Sequence, residues 1–282
     1  MPEGPEVKII TDQLHTNLVG QTIVECQAGG RYLREPVEGW SEEHPVTRAT
    51  LKGQVIDFPK TIQSIKCKGK FIYWDLGDDW FLWNTLGMTG EWNFPEPGQM
   101  DKNVAFIMHL SNGKELHFND IRHFGTVKFV RGVAETQAKL QTLGPDLLAG
   151  ELTAAYLAQI CAKQTNKTLA EILMNQKLVS GVGNYIKSEA LYRAKLSPWR
   201  RGGQMTSVEV EELLKQLTWV SETSYQHRGA TLATYRDVVG QIGSFSQFLQ
   251  VYQKETCPLG HRIKREETPD KRTSWWVPEV QT

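Results

Sequence analysis

The chain has few cysteines, no surplus of charge and no long apolar run, and each shortage removes a class of protein. Its four cysteines, Cys26, Cys67, Cys161 and Cys257, are scattered through 282 residues without a close pair, which argues against a disulfide framework and for reduced thiols. The 32 basic residues balance 32 acidic ones, so no global field draws the chain to a polyanion. The balance is uneven along the sequence: residues 1–150 carry 15 basic and 19 acidic side chains, and 151–282 carry 17 and 13. The second half is therefore expected to be the phosphate-facing one. No apolar stretch approaches membrane-spanning length, and the acidic N-terminus lacks the basic and apolar segments of a signal peptide. An intracellular location without membrane attachment is expected. Internal repeats and low-complexity tracts are missing too. What remains, 40% hydrophobic and 23% charged residues, reads as a globular chain long enough for two domains.

The chemistry begins at Met1-Pro2-Glu3-Gly4-Pro5-Glu6. A small second residue favours removal of the initiator, which leaves Pro2 with a free secondary amine. An α-amino group titrates at roughly 7.7 to 8.0, so part of it is unprotonated near neutral pH. Pro2 could then attack an electrophilic carbon and form an iminium, with Glu3 beside it as a possible acid. Gly4 and Pro5 read as the start of a helix that buries Val7, Ile10, Leu14 and Leu18 and closes at Gly20. Glu6 falls in its first turn, where the helix dipole favours a carboxylate.

Residues 21–130 then read as short β-favouring runs: 23–26, 61–66, 71–76, 80–83, 104–110, 115–118 and 126–130. Turn residues such as Gly77-Asp78-Asp79 separate them, the pattern of a sandwich or barrel. Lys70 follows Gly69 at the edge of a strong strand. Leu143-Gly144-Pro145 ends the β-rich part, and helical periodicity follows over 153–163, 168–177, 186–194 and 206–228. Gly181-Val182-Gly183-Asn184 opens one of these helices, a place where backbone N–H groups and the positive dipole end suit a phosphate.

Taken together, MPEGPE before an amphipathic helix, Lys66-Cys67-Lys68-Gly69-Lys70, the loops Asn84 to Gly90 and Asp120 to Gly125, and Leu173-Met174-Asn175-Gln176 before the glycine-rich turn resemble the Fpg/Nei family of DNA glycosylases. The start MPEGPE resembles the endonuclease VIII (Nei) branch in particular. The resemblance implies Pro2 as nucleophile, Glu3 as acid, Glu6 as a further catalytic carboxylate and Lys70 as the lysine that pairs with a phosphate beside the lesion. Met88, Arg122 and Phe124 match the side chains that fill the stack when a base is extruded. Asn184, with Gly183, matches the phosphate-binding turn of the helix-two-turn-helix. Asn175 stands where many relatives have aspartate.

At the C-terminus the sequence departs from the family pattern. The usual finger holds zinc with two cysteine pairs, whereas here Cys257 and His261 have Gly260, Val277 and Val280 at the remaining places. Two candidate ligands cannot close a tetrahedral site. The stretch is similar to the zincless finger of some Nei-like and plant relatives, with strands expected at 262–266 and 273–277 and apolar packing by Ile263, Trp275 and Trp276. Arg272 matches the finger arginine that grips the phosphate flanking the lesion, and its planar donor fork suits that partner.

The resulting expectation is an α+β chain of two domains. Residues 1–135 form a catalytic β-sandwich or barrel flanked by helices, 136–150 a linker, 151–250 the helix-two-turn-helix domain and 251–282 the zincless β-hairpin finger. The implied function is a monomeric bifunctional DNA glycosylase and AP lyase acting on double-stranded DNA with oxidised bases or abasic sites. Oxidised pyrimidines are favoured, and neither metal nor organic cofactor is required. Two rivals stand beside it: preference for 8-oxoguanine and formamidopyrimidines, and a damaged-DNA binding protein without catalysis.

Overall fold

The structure is a computed structural model, and it describes residues 2–28, 47–51, 54–96, 103–231 and 236–282. The chain divides into two compact units. The first holds Pro2, Glu6–Gln141 and Ala230–Gly243; the second holds Glu3–Pro5, Thr142–Gly229 and Ser244–Thr282. No helix among the described residues is long and apolar enough to cross a membrane.

The first unit opens with α1 (Gly4–Leu18), whose apolar face at Val7, Ile10, Leu14 and Leu18 is fully buried, as its spacing predicts. Gly20 ends it with a positive φ of 85°. Then come β1 (Thr22–Ala28), a short hairpin of β2 (Arg48–Leu51) and β3 (Gln54–Asp57), β4 (Lys60–Thr61), β5 (Ser64–Lys68), β6 (Phe71–Asp75) and β7 (Trp80–Thr85). The remaining strands are β8 (Gly90–Asn93), β9 (Val104–Leu110), β10 (Glu115–Asp120) and β11 (Thr126–Arg131), followed by α2 (Val133–Gln141).

Two antiparallel sheets result, ordered β4-β1-β9-β10-β8 and β11-β7-β6-β5. Alternation puts Trp92, Phe106 and Phe118 of the first sheet and Trp74 and Phe129 of the second on facing sides. Trp74 meets Trp92 at 5.4 Å between ring centroids, and Phe106 meets Phe129 at 6.1 Å. This aromatic layer is the centre of a β-sandwich.

The expected single strand over 61–66 is two. Thr61 pairs with β1, whereas Gln63 donates to Asp75 O in the other sheet, so the chain changes sheets between them. Residues 90–93, which begin at the last glycine of the expected 84–90 loop and fall in no expected strand, form β8 and bury Trp92 at 1% exposure. The stretch expected as a linker, 136–150, begins as helix. Its Ala, Gln, Lys and Leu are good helix formers, and Trp83 Nε1 donates to Thr136 Oγ1 at 3.1 Å to fix it.

In the second unit α3 (Ala154–Lys163) is capped by Thr153, and α4 (Leu169–Met174) starts at a full capping box of Thr168 and Glu171. The helix expected to run to Lys177 stops at Met174, because Asn175 turns the chain and its Oδ1 accepts the Lys177 N–H. After α5 (Asn184–Arg193) comes α6 (Ser207–Gln226), with a second capping box of Thr206 and Glu209. Residues 230–243, expected inside this domain, belong to the first unit. Val238 lies in its core, and Gln13 holds Asp237 and the Val238 N–H at 2.8 and 2.9 Å.

The finger hairpin is β12 (Lys264–Thr268) and β13 (Arg272–Trp276); it turns at Pro269-Asp270-Lys271 within the expected 268–271 turn, with the first strand two residues later and the second one residue earlier than expected. Lys271 takes a positive φ of 57° there. Tyr192, Val251, Cys257, Ile263 and Val277 form its core, with Trp275 and Val280 packed against it. Trp276, expected in that core, faces the other side of the hairpin and donates to Glu266 Oε2 at 2.8 Å. This is the alternation a strand imposes on neighbours.

The zinc of family fingers does not fit this core. Val277 occupies a ligand place and is fully buried, His261 is exposed, and no three His, Cys, Asp or Glu side chains gather among the described residues. The Cys257 thiol is pushed up by burial, but hydrogen bonds with Tyr192 and with backbone groups of the 257–261 turn outweigh this and hold it below its usual value. We predict that a strong chelator leaves the melting temperature unchanged and that metal analysis finds no stoichiometric zinc. Val277→Asp, by contrast, should lower stability by about 3 kcal/mol or more, as an unpaired buried charge does; thermal melts with and without chelator check both.

Candidate active site

In the second unit Glu3, next in sequence to Pro2, is seated on a helix end. The Glu3 carboxylate accepts the Tyr185 N–H through Oε1 at 2.9 Å and the Ile186 N–H through Oε2 at 3.2 Å. These are orphan donors of the first turn of α5, which the Glu3 side chain satisfies. Gly183 makes the room: a Cβ on this residue would fall onto the Glu3 carboxyl carbon. Gly4 packs on the same turn, donating to Gly181 O at 2.9 Å, and a Cβ there would lie 3.0 Å from the Gly181 backbone. The turn itself is clamped by Gln176, whose side chain donates to Val182 O at 2.8 Å and accepts the Gly181 N–H at 3.1 Å.

Around that helix end the second unit gathers more polar groups than the sequence indicated. Asn184 Nδ2 donates to Thr273 O of the finger at 2.8 Å. The Tyr252 phenol is pushed up by burial and by the Glu3 charge, while a hydrogen bond from Asn184 and the Arg272 charge pull it down. Glu3, Asn184 and Arg272 are thus each within electrostatic reach of Tyr252. Arg272 itself is exposed at the start of β13. Buried Glu189 holds the Tyr252 segment, accepting the N–H groups of Gln250, Val251 and Tyr252 at 2.8 to 3.0 Å.

The first unit carries the remaining candidates. Pro2 is buried and precedes α1; Met1 lies outside the described residues. Glu6 is fully buried, and its Oε1 accepts the Ala230 N–H at 2.7 Å, tying α1 to the 230–243 segment. Lys70 sits half-buried in the two-residue turn between β5 and β6, after Gly69, whose φ of 57° the turn requires.

Met88, Arg122 and Phe124 lie on two loops locked together. A Cβ on Gly87 would come within 2.5 Å of the Phe124 carbonyl carbon, so only glycine lets the loops meet. Asp120, fully buried, accepts the Thr89 hydroxyl and the N–H groups of Arg122 and Gly125. From this anchored base Arg122 and Phe124 project outward, the guanidinium 5.1 Å from the centre of the ring, and Phe124 is 53% exposed. Met88 is half-buried. An exposed phenylalanine on a loop with a buried carboxylate at its root is costly for stability and suits a contact surface.

Sequence reasoning missed Asp120, Tyr252, Lys187 and Asp270. The Asp before Arg-x-Phe-Gly was a local signal for the first. Nothing local marks the others, because the carboxylate that holds the Tyr252 N–H is 63 residues away and Lys187 and Asp270 are 83 apart.

Known proteins resemble the chain in sequence and fold. Residues 1–127 match the formamidopyrimidine-DNA glycosylase N-terminal domain, and residues 143–235 match the formamidopyrimidine-DNA glycosylase H2TH domain. A formamidopyrimidine-DNA glycosylase of Bradyrhizobium sp. (strain ORS 278) is 31% identical over the full length of both chains. One of Cronobacter sakazakii is 33% identical over 98% of each. Among solved structures, the Lactococcus lactis Fpg bound to abasic-site DNA superposes with a TM-score of 0.85 at 26% identity, covering 99% of both chains. The fold and its two matched domains define a DNA glycosylase with AP lyase activity, an enzyme of base excision repair whose partner is DNA. The chain belongs to the formamidopyrimidine-DNA glycosylase family.

The seat of Glu3 can be tested through its glycine. Gly183 has φ −128°, a value alanine adopts freely, so Gly183→Ala reports the collision with Glu3 and not backbone strain. Displacement of about 1 Å at a catalytic group costs on the order of 100-fold in rate. Single-turnover base excision by Gly183→Ala should fall by that order; a wild-type rate would show that Glu3 does not need this seat.

Proposed function

We propose that this glycosylase removes oxidised bases, oxidised pyrimidines before purines as in the Nei branch, and then cleaves the strand by β,δ-elimination through an iminium on Pro2. The observation that carries the reading is Glu3, a carboxylate next in sequence to the terminal amine and held by two amides at the start of α5. Removal of Met1 frees the Pro2 nitrogen, which attacks the sugar C1′ of the damaged nucleotide as the base leaves. Glu3 supplies the proton for ring opening, and loss of the 3′ and then the 5′ phosphate follows from the iminium.

The other residues take supporting parts in this reading. Glu6 is the buried carboxylate at the start of α1, and the Ala230 N–H fixes it. Lys70 and Arg272 pair with phosphates at the lesion, and Asn184 with Gly183 forms the backbone turn that meets the strand. Met88, Arg122 and Phe124 fill the stack vacated by the extruded base. The finger works without metal, and no cofactor enters any step. Support for oxidised pyrimidines comes from the N-terminal motif and from the Lactococcus lactis Fpg having been solved with an oxidised pyrimidine containing DNA, at 25% identity and a TM-score of 0.84. A second reading, preference for formamidopyrimidines, is favoured by the names of full-length relatives; rates on a panel of lesion duplexes separate the two.

Two measurements test the mechanism. Borohydride should trap the protein on abasic-site DNA, and residues added ahead of Pro2 should abolish trapping while leaving DNA affinity largely intact. Trapping by a blocked N-terminus removes Pro2 from the mechanism. Glu3→Gln keeps size but loses the acid, so base excision should fall by about 100-fold or more while cleavage of a preformed abasic site partly survives. Equal losses on both substrates would contradict the acid role.

A further inference from the structure

Lys187 and Asp270 form a buried ion pair, Nζ to Oδ2 2.8 Å, with the side chains 0% and 4% exposed. Two charges withdrawn from water are costly unless geometry and further hydrogen bonds compensate, so this placement calls for a reason. Asp270 is the middle residue of the finger turn, two positions before Arg272, and its other oxygen accepts the Thr268 hydroxyl. Thr268 Oγ1 in turn lies 3.0 Å from Arg272 O and 2.7 Å from Ser274 Oγ. Lys187 shares the first turn of α5 with Asn184, whose side-chain amide donates to Thr273 O. The backbone on both sides of Arg272 is therefore fixed at three points, two of them from the turn of α5 that also seats Glu3.

We propose that Lys187 and Asp270 are a positioning pair, which docks the tip of the finger on α5 so that Arg272 meets a phosphate in register with Glu3. This rests on the reading of Arg272 as a phosphate ligand. The division of labour is physical: the cluster of Cys257, Ile263 and Val277 packs the open end of the hairpin, and the ion pair pins its turn. Burial pushes the Lys187 ammonium down, Asp270 and Glu3 pull it up and Arg272 opposes them, so these charges sense one another.

The test uses full-length protein and a duplex carrying a tetrahydrofuran abasic analogue, with the dissociation constant measured across a salt series. Arg272→Ala, Lys187→Met and Asp270→Asn should each weaken binding by about tenfold and reduce the slope of log affinity against log salt by about one, the signature of one lost phosphate contact. Lys187 is sealed from solvent, so a merely structural role would lower the melting temperature and leave that slope alone. The double variant Lys187→Met, Arg272→Ala should bind no more weakly than Arg272→Ala. Weak binding by Arg272→Ala with full affinity and slope in Lys187→Met and Asp270→Asn would overturn the positioning role alone, as would additive losses. Normal binding by Arg272→Ala would overturn the phosphate reading and this inference with it. Should Lys187→Met fail to fold, Asp270→Asn decides by the same readouts.

Discussion

The bonds from the amides of Tyr185 and Ile186 to Glu3 bind the residue before α1 to a helix start about 180 positions away, and the glycines and Gln176 of the second unit allow them. A charged acceptor on backbone donors is worth roughly 1.5 to 3 kcal/mol, more than an ordinary hydrogen bond. It is available only because position 183 has no side chain, position 4 has none either, and Gln176 holds the loop that carries Gly181 and Val182. The first turn of α5 then does three things at once: it anchors Glu3, meets the finger through Asn184, and holds the finger turn through Lys187.

The two loops of the first unit follow the same economy of parts. One buried carboxylate, Asp120, satisfies several backbone and hydroxyl donors, and glycines at 87 and 125 let the chain pass close enough for it to do so. Rigidity at the root frees the tip to expose Arg122 and Phe124. A contact surface built this way loses little conformational entropy when it binds, because the backbone is already ordered.

The sequence made periodic and punctuated features legible: α1 by its 3.6-residue spacing, most strands by β-branched and aromatic runs, and α3, α4 and α6 by Thr caps three residues before Glu or after a break. The sandwich and the helical second half follow from those. What stayed hidden depends on partners far along the chain. Trp92 shows a strand only once its aromatic neighbours from β6, β9 and β10 are in place. Asp270 reads as a turn residue until Lys187 is beside it. Trp276 could not be told from Trp275 by composition, since one residue of register decides which of the two faces the core. Glycines 4 and 183 were visible, but their reason, room for Gly181 and for a carboxylate, was not.

The chain changes unit at residues 2/3, 5/6, 141/142, 229/230 and 243/244. A break at Gly144-Pro145, where the sequence invites one, would therefore not separate two self-sufficient pieces. The N-terminal fragment would lack Val238 from its core and the Ala230 N–H that Glu6 holds. The C-terminal fragment would leave the amides of Tyr185 and Ile186 without their carboxylate. Such interleaving means that a cut at that point leaves neither piece with all the segments of one unit, so the whole chain is the smallest contiguous stretch that carries both units' cores and anchors together.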